Sequence, residues 1–267
     1  MSKVTFYYVS QFCEAYRNYS ALGRSVNADL ETTKRATYIT GITPERARSL
    51  KRSAQGNFAR MRVNDGEGIR FGKNYLFPNG ETMNWNYQKK RDYILNSDMI
   101  IFFAGCPHRM KESMIEQGIY EIILEYVNER DKGVIFGVSA GVPVMSEFAI
   151  TPKTSRAYPE TKIDNGFNFV NGISCFPHVD ITEGIIPQSI NTNTSDGIIE
   201  FNDLIDITKK VGPYILLAEE SVLRVKESYY NVIGKTPYIL DENGNITPVE
   251  KEGHVDELKQ LIKKLKR

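Results

Sequence analysis

Cysteine, histidine and tryptophan are scarce in this chain of 267 residues, which holds three, three and one of them. Cys13, Cys106 and Cys175 are an odd set with no paired spacing. That pattern excludes a disulfide framework and a cysteine-based zinc site, and it points to a reducing compartment. Charge of one sign is lacking too: 34 Lys and Arg stand against 33 Asp and Glu, a net charge of +1. So balanced a chain offers no argument for a nucleic acid or an anionic membrane as partner. Long hydrophobic runs are also absent. Residues 99–104 form one of the longest, far too short to cross a bilayer. Residues 1–17 lack the uninterrupted apolar core of a signal peptide. The reading is a soluble cytoplasmic protein without internal repeats or an obvious linker. Its 41% hydrophobic and 25% charged residues give it ample core for an α/β domain.

Taken in order, residues 4–9 are β-branched or aromatic and read as a strand buried on both faces. Residues 10–30 are polar, a loop with a short helix. Residues 35–40 read as a second strand. Thr43-Pro44-Glu45 reads as a helix start, with Thr43 as N-cap, and that helix runs to about residue 60. Asp65-Gly66 and Asn79-Gly80 mark an irregular excursion. Residues 98–104 read as a central strand. Met110, Met114, Ile115, Ile119, Ile122, Ile123 and Tyr126 then fall on one stripe of a long helix. A second apolar strand starts at Gly133. Residues 98–148 are therefore a βαβ unit with a parallel sheet, whose sites lie beyond the strands' carboxyl ends. Further on, residues 182–194 read as loop, 195–210 as helix and 213–218 as strand. Short antiparallel strands follow between residues 221 and 249, with a hairpin turn at 241–245. A terminal amphipathic helix begins at His254.

The most distinctive stretch is residues 133–141, Gly-Val-Ile-Phe-Gly-Val-Ser-Ala-Gly. An apolar strand feeds Gly137-x-Ser139-x-Gly141, and residues 142–148 can be helix. This is the pattern of a nucleophile elbow. A serine on a strained turn tolerates little bulk beside it, and the next helix must approach the strand closely. The backbone N–H of Ala140 is then a candidate oxyanion donor, and that of Gly105, at the neighbouring strand end, a second. A serine nucleophile needs a base, usually histidine, with an acid to orient it. His108 lies on the helix after Gly105. His178 follows Phe176-Pro177 and reads as part of a post-strand loop. His254 sits among Glu252, Asp256 and Glu257. Two chain orders stay open. One is Ser139, His178, Glu219. The other is Ser139, Glu219 or Glu220, His254, the order of α/β-hydrolases.

Three blocks in this order resemble the peptidase E and cyanophycinase family, peptidase family S51. They are Gly137-Val138-Ser139-Ala140-Gly141, then Asn165-Gly166-Phe167 leading to Pro177-His178, then residues 217–225, Leu-Ala-Glu-Glu-Ser-Val-Leu-Arg-Val. The resemblance spans roughly residues 98–249. It implies a class I glutamine amidotransferase-like fold. That is an α/β three-layer sandwich with a mostly parallel central sheet, a nucleophile elbow and C-terminal antiparallel hairpins. Residues 1–267 would form one such domain, with an atypical part at 1–97 and a terminal helix at 254–267. The resemblance further implies Ser139 as nucleophile, His178 as base, Glu219 as orienting acid, and Gly105 and Ala140 as the oxyanion hole. Glu219 fits the acid better than Glu220, because the family's acid is usually followed by glycine and Glu220 holds that place. Family members cleave dipeptides or branched polypeptides after an aspartyl residue, without a metal or organic cofactor. The expected partner is thus a small peptide or amide. Two stretches depart from the pattern. The family's Gly-Gly-Gly-Asn-Thr run reads Phe-Ala-Gly-Cys-Pro-His at residues 103–108, and residues 179–199 hold no Arg or Lys. A substrate pocket would then draw on His108 and Arg109. The altered run also motivates an alternative, a binding or regulatory protein with an inactive site. A third reading is an α/β-hydrolase using His254.

Overall fold

A computed structural model describes residues 3–10, 19–30, 35–41, 70–71, 85–153, 160–179, 181, 189–191 and 198–266. Cys13, the helix expected from Thr43 and the turns at Asp65-Gly66 and Asn79-Gly80 lie outside the described residues.

The first half of the chain forms β1 (Val4–Val9), α1 (Tyr19–Asp29), β2 (Arg35–Gly41), β3 (Arg70–Phe71), α2 (Tyr87–Leu95) and β4 (Met99–Gly105). Next come α3 (Pro107–Glu116), α4 (Ile119–Glu129), β5 (Gly133–Val138), α5 (Gly141–Met145), β6 (Phe148–Thr151), β7 (Lys162–Asn165) and β8 (Cys175–Val179). The remainder forms β9 (Ser189–Asn191), β10 (Ile198–Glu200), α6 (Phe201–Val211), β11 (Tyr214–Ala218), β12 (Ser221–Lys226) and β13 (Tyr229–Gly234). It ends with β14 (Tyr238–Leu240), β15 (Ile246–Pro248), β16 (Glu252–His254) and α7 (Val255–Lys264).

The architecture is mixed α/β around an eight-stranded sheet of order β16-β13-β12-β1-β5-β4-β2-β3. Strands β1, β5, β4, β2 and β3 pair in parallel. Strands β12, β13 and β16 extend it in antiparallel fashion. A second sheet has the order β15-β14-β11-β8, with β8 parallel to β11. The two sheets are joined by the Glu219-Glu220 turn between β11 and β12.

Alternation explains why the central strands are apolar throughout. Phe6 and Tyr8 of β1, Ile100 and Phe102 of β4 and Ile135 of β5 face one core, shared with α3, α4 and α7. Tyr7, Val9, Met99, Ile101, Val134, Phe136 and Val138 face the other, shared with Leu22 and Val26 of α1. A strand covered on both faces has no position for a solvated side chain. β6, β7, β9, β10, β14 and β15 are the short hairpin strands around this frame.

Three expectations need correction. The stripe from Met110 to Tyr126 is two helices, because Gly118 takes φ 65° and ends the first. Both halves still pack on one core, except that Ile115 of the expected stripe faces solvent. The stretch read as loop and then helix contains a strand pair, β9 at residues 189–191 and β10 at 198–200, and the helix starts only at Phe201. The helix after the elbow stops at Met145, because Ser146 is extended and its buried hydroxyl accepts from Cys175 N–H of β8 at 3.0 Å. No helix among the described residues is long and apolar enough to cross a membrane.

Candidate active site

The parallel strands β1, β4 and β5 end on the same side of the sheet, and their last residues converge there. β5 runs between β1 and β4, with Val138 opposite both Val9 and Phe103. The next residue, Ser139, takes φ 54°, a left-handed conformation uncommon outside glycine. Its N–H is shared between the carbonyls of Val9 (3.1 Å) and Ser10 (3.2 Å), so the turn is anchored to the end of β1. Both flanking glycines are needed for space. A Cβ on Gly141 would strike the Phe102 carbonyl oxygen, and one on Gly137 would lie 2.5 Å from Met145 Sδ and 2.8 Å from the Gly141 carbonyl oxygen. The first turn of α5 therefore sits directly on the strands, and Ser139 is lifted over their edge.

His178 reaches this serine from the second sheet. Its Nε2 lies 2.7 Å from Ser139 Oγ. The ring belongs to the end of β8 rather than to the loop expected from the sequence. The pairing with β11 explains how it gets there. Phe176 is opposite Leu216 and Val179 opposite Ala218, so Pro177 and His178 together face the single residue Leu217. That is a β-bulge, a device that re-aims a side chain, and proline is tolerated in strands at such places. His178 itself takes φ 63°. The imidazole is 6% exposed. Burial lowers its pKa from the usual 6.5 to about 4, so the ring is neutral near pH 7. With Nε2 accepting the serine hydroxyl proton, Nδ1 carries the ring N–H. Nδ1 is buried and has no hydrogen-bond partner among the described residues.

The other candidate residues occupy distinct places. Glu219 follows β11 directly, next to the strand that carries His178, and is half-buried. Its carboxylate makes no hydrogen bond to Nδ1 in this arrangement. Glu220 takes φ 67°, a left-handed conformation that glycine adopts more readily. Gly105 has φ 95° and ends β4, two residues past Phe103, which lies opposite Val138 of β5. His108 and Arg109 open α3 at the same sheet end. His108 is held by its surroundings: Nδ1 is 2.7 Å from Asp164 Oδ2, and Nε2 is 3.1 Å from Glu112 Oε1 and 3.2 Å from Lys162 Nζ. His254 is elsewhere. It ends β16, stacks against the exposed Tyr229 and stands four strands from β5, a separation of about 19 Å at the usual strand spacing. The α/β-hydrolase reading with His254 as base is thereby overturned.

Sequence reasoning missed Ser10, Ser146 and Asp164. Ser10 carried a signal, since it is the first residue past a buried strand at the sheet's carboxyl end.

The chain shares its fold with solved structures. One is a peptidase from an acI-B1 actinobacterium, with TM-score 0.64 and 15% identity over 95% of this chain and 97% of that one. Another is a Listeria monocytogenes EGD-e protein provisionally named a peptidase E, with TM-score 0.54 and 11% identity over 87% of this chain and 98% of that one. No protein-family model and no curated protein matches the chain.

Proposed function

We propose that the protein is a cytoplasmic serine hydrolase of the peptidase E type, acting on a small peptide or amide through an acyl-enzyme. The observation that carries this reading is the 2.7 Å contact between Ser139 Oγ and His178 Nε2. A buried neutral imidazole is aimed at a serine held in a left-handed turn, which is the arrangement an activated nucleophile requires. Likeness of fold to proteins named peptidases supports it further. In this reading the fold is the three-layer, class I glutamine amidotransferase-like sandwich of that family.

Ser139 Oγ attacks the substrate carbonyl carbon while His178 Nε2 takes its proton. The oxyanion forms against the N–H groups of Gly105 and Ala140. The Nε2 proton then passes to the leaving amine, and the C–N bond breaks. Water, activated by the same imidazole, releases the acyl group and restores Ser139. Glu219 is the carboxylate assigned to orient the ring through Nδ1. His108 and Arg109 line the substrate side of the oxyanion hole. No step needs a metal or organic cofactor.

A fluorophosphonate probe with mass mapping tests the nucleophile, and a dipeptide library with varied first residues then finds the substrate. Stoichiometric label on Ser139 is expected, and its loss in Ser139→Ala. For the substrate so found, Ser139→Ala or His178→Ala should lower turnover by about 10⁴-fold. An unlabelled Ser139 would instead favour the non-catalytic binding protein, a reading that the partnerless Nδ1 of His178 keeps in view.

A further inference from the structure

The residue that ties the candidate site together is Ser10, which is fully buried at the end of β1. Three of its groups make four hydrogen bonds to the three segments that carry Ser139, His178 and Glu219. Its carbonyl accepts from the Ser139 N–H at 3.2 Å. Its N–H donates to the Ser221 carbonyl at 3.2 Å, just past the Glu219-Glu220 turn. Its hydroxyl accepts from the His178 N–H at 2.8 Å and donates to the Leu217 carbonyl at 3.2 Å.

The last two bonds meet a need created by the bulge. Where two residues of β8 face one of β11, the strand ladder is broken. Pro177 has no N–H to offer Leu217, and the His178 N–H turns away from the strand pair. Both are buried backbone groups, which are costly to leave unpaired. The Ser10 hydroxyl is donor to one and acceptor to the other, and only a hydroxyl serves both through a single atom.

We infer that Ser10 is a positioning residue: its hydroxyl closes the β8 bulge, fixes the left-handed backbone of His178 and so holds the imidazole on Ser139. The inference rests on the reading of Ser139 as nucleophile and His178 as base. Ser10 touches no reacting atom. It acts through the backbone of the base, and through the Ser139 N–H it also spaces the nucleophile from that base.

The test uses the full chain with Ser10→Ala and with Ser10→Cys, which fills the volume but offers only a weak donor and a weak acceptor. Fluorophosphonate labelling of Ser139 is followed against probe concentration. In Ser10→Ala the maximal labelling rate should fall about 10²-fold, the scale of a 1 Å misplacement, with the half-saturating concentration unchanged. Ser10→Cys should fall in the same direction by less, and it decides the matter if the alanine variant does not fold. In a His178→Ala background, Ser10→Ala should bring no further loss. The imidazole resonances of the three histidines give a readout independent of chemistry: Ser10→Ala should shift those of His178 and leave those of His108 and His254 in place. Wild-type labelling rates, equal losses with and without His178, or unmoved His178 resonances would each overturn the inference. An unlabelled wild-type Ser139 together with shifted His178 resonances would instead remove the nucleophile reading and leave the role of Ser10 in placing the ring intact.

Discussion

A histidine in water takes up a proton near pH 6.5, and His178 resists until about 4 because burial penalises the imidazolium. Two consequences follow for this residue. The first is chemical. A base that stays neutral in mild acid keeps working there, so the Ser139 labelling rate should hold between pH 7 and 5 and fall only as pH nears about 4. A fall centred on 6.5 would contradict this. The second is thermodynamic. Between those two values the unfolded chain holds the proton and the folded chain does not, so stability rises with pH. The contribution is complete above pH 6.5 and is lost as pH falls toward about 4, up to roughly 3 kcal/mol. Urea midpoints of the wild type should decline over that window more steeply than those of His178→Ala. The residue scale is also where the sequence was most and least legible. Ser139 stood out because its flanking glycines obey a steric rule, and His178 because only three histidines compete for the role. Ser10 did not stand out, since a serine has no periodicity and its partners Ser139, His178, Leu217 and Ser221 are all distant in the chain. Glu219 was legible as a position but not as a contact, because side-chain rotamers are decided by packing the sequence does not spell out.

Elements were read well where both faces of a strand are buried. β1 was expected over residues 4–9 and is found there, and β4 and β5 differ little from their expected spans. The apolar runs of β4 and β5 read as parallel strands because the crossover of residues 106–132 is long enough to hold helix. Pattern failed where one residue's conformation overrides it. Gly118 splits a stripe that periodicity alone joins, and the Pro177-His178 bulge bends a strand end that Phe-Pro made look like loop. The elbow itself makes the sharpest prediction at this scale. Gly141→Ala places a methyl against the Phe102 carbonyl oxygen, a backbone atom that cannot rotate away. We expect a loss of at least about 2 kcal/mol by chemical denaturation, since strand and helix must part to admit it. Ser139 labelling should fall with it even in the folded fraction. A variant of wild-type stability and reactivity would mean that α5 does not sit on β4 as described.

Across the whole molecule, α1 is the clamp between the parallel and antiparallel halves of the main sheet. Asp29, at its last turn, is buried and takes bonds from Tyr7 of β1 (2.5 Å) and from Arg224 (2.5 and 2.8 Å) and Lys226 (3.1 Å) of β12. Burial alone would raise the Asp29 carboxyl, but these donors outweigh it and hold the group below the usual carboxylate range. Removing the carboxylate leaves the largely covered Arg224 guanidinium without its counter-ion and the buried Tyr7 hydroxyl without its Asp29 acceptor. Asp29→Ala should therefore cost about 3 kcal/mol, read from the urea midpoint, while the Ser139 labelling rate of the folded protein stays unchanged. A midpoint like the wild type's would mean that α1 does not hold the two halves together. The site at the strand ends carries a different kind of burden. Ser139, His178 and Glu220 all adopt left-handed backbone, at φ 54°, 63° and 67°, and none is glycine. Each such residue costs on the order of 1 kcal/mol relative to a relaxed one. Selection for stability alone would write glycine at all three. At Ser139 and His178 that replacement would delete the hydroxyl and the imidazole. The most stable version of this chain and its most reactive version are thus different sequences, and the difference is concentrated where strand ends of the two sheets meet.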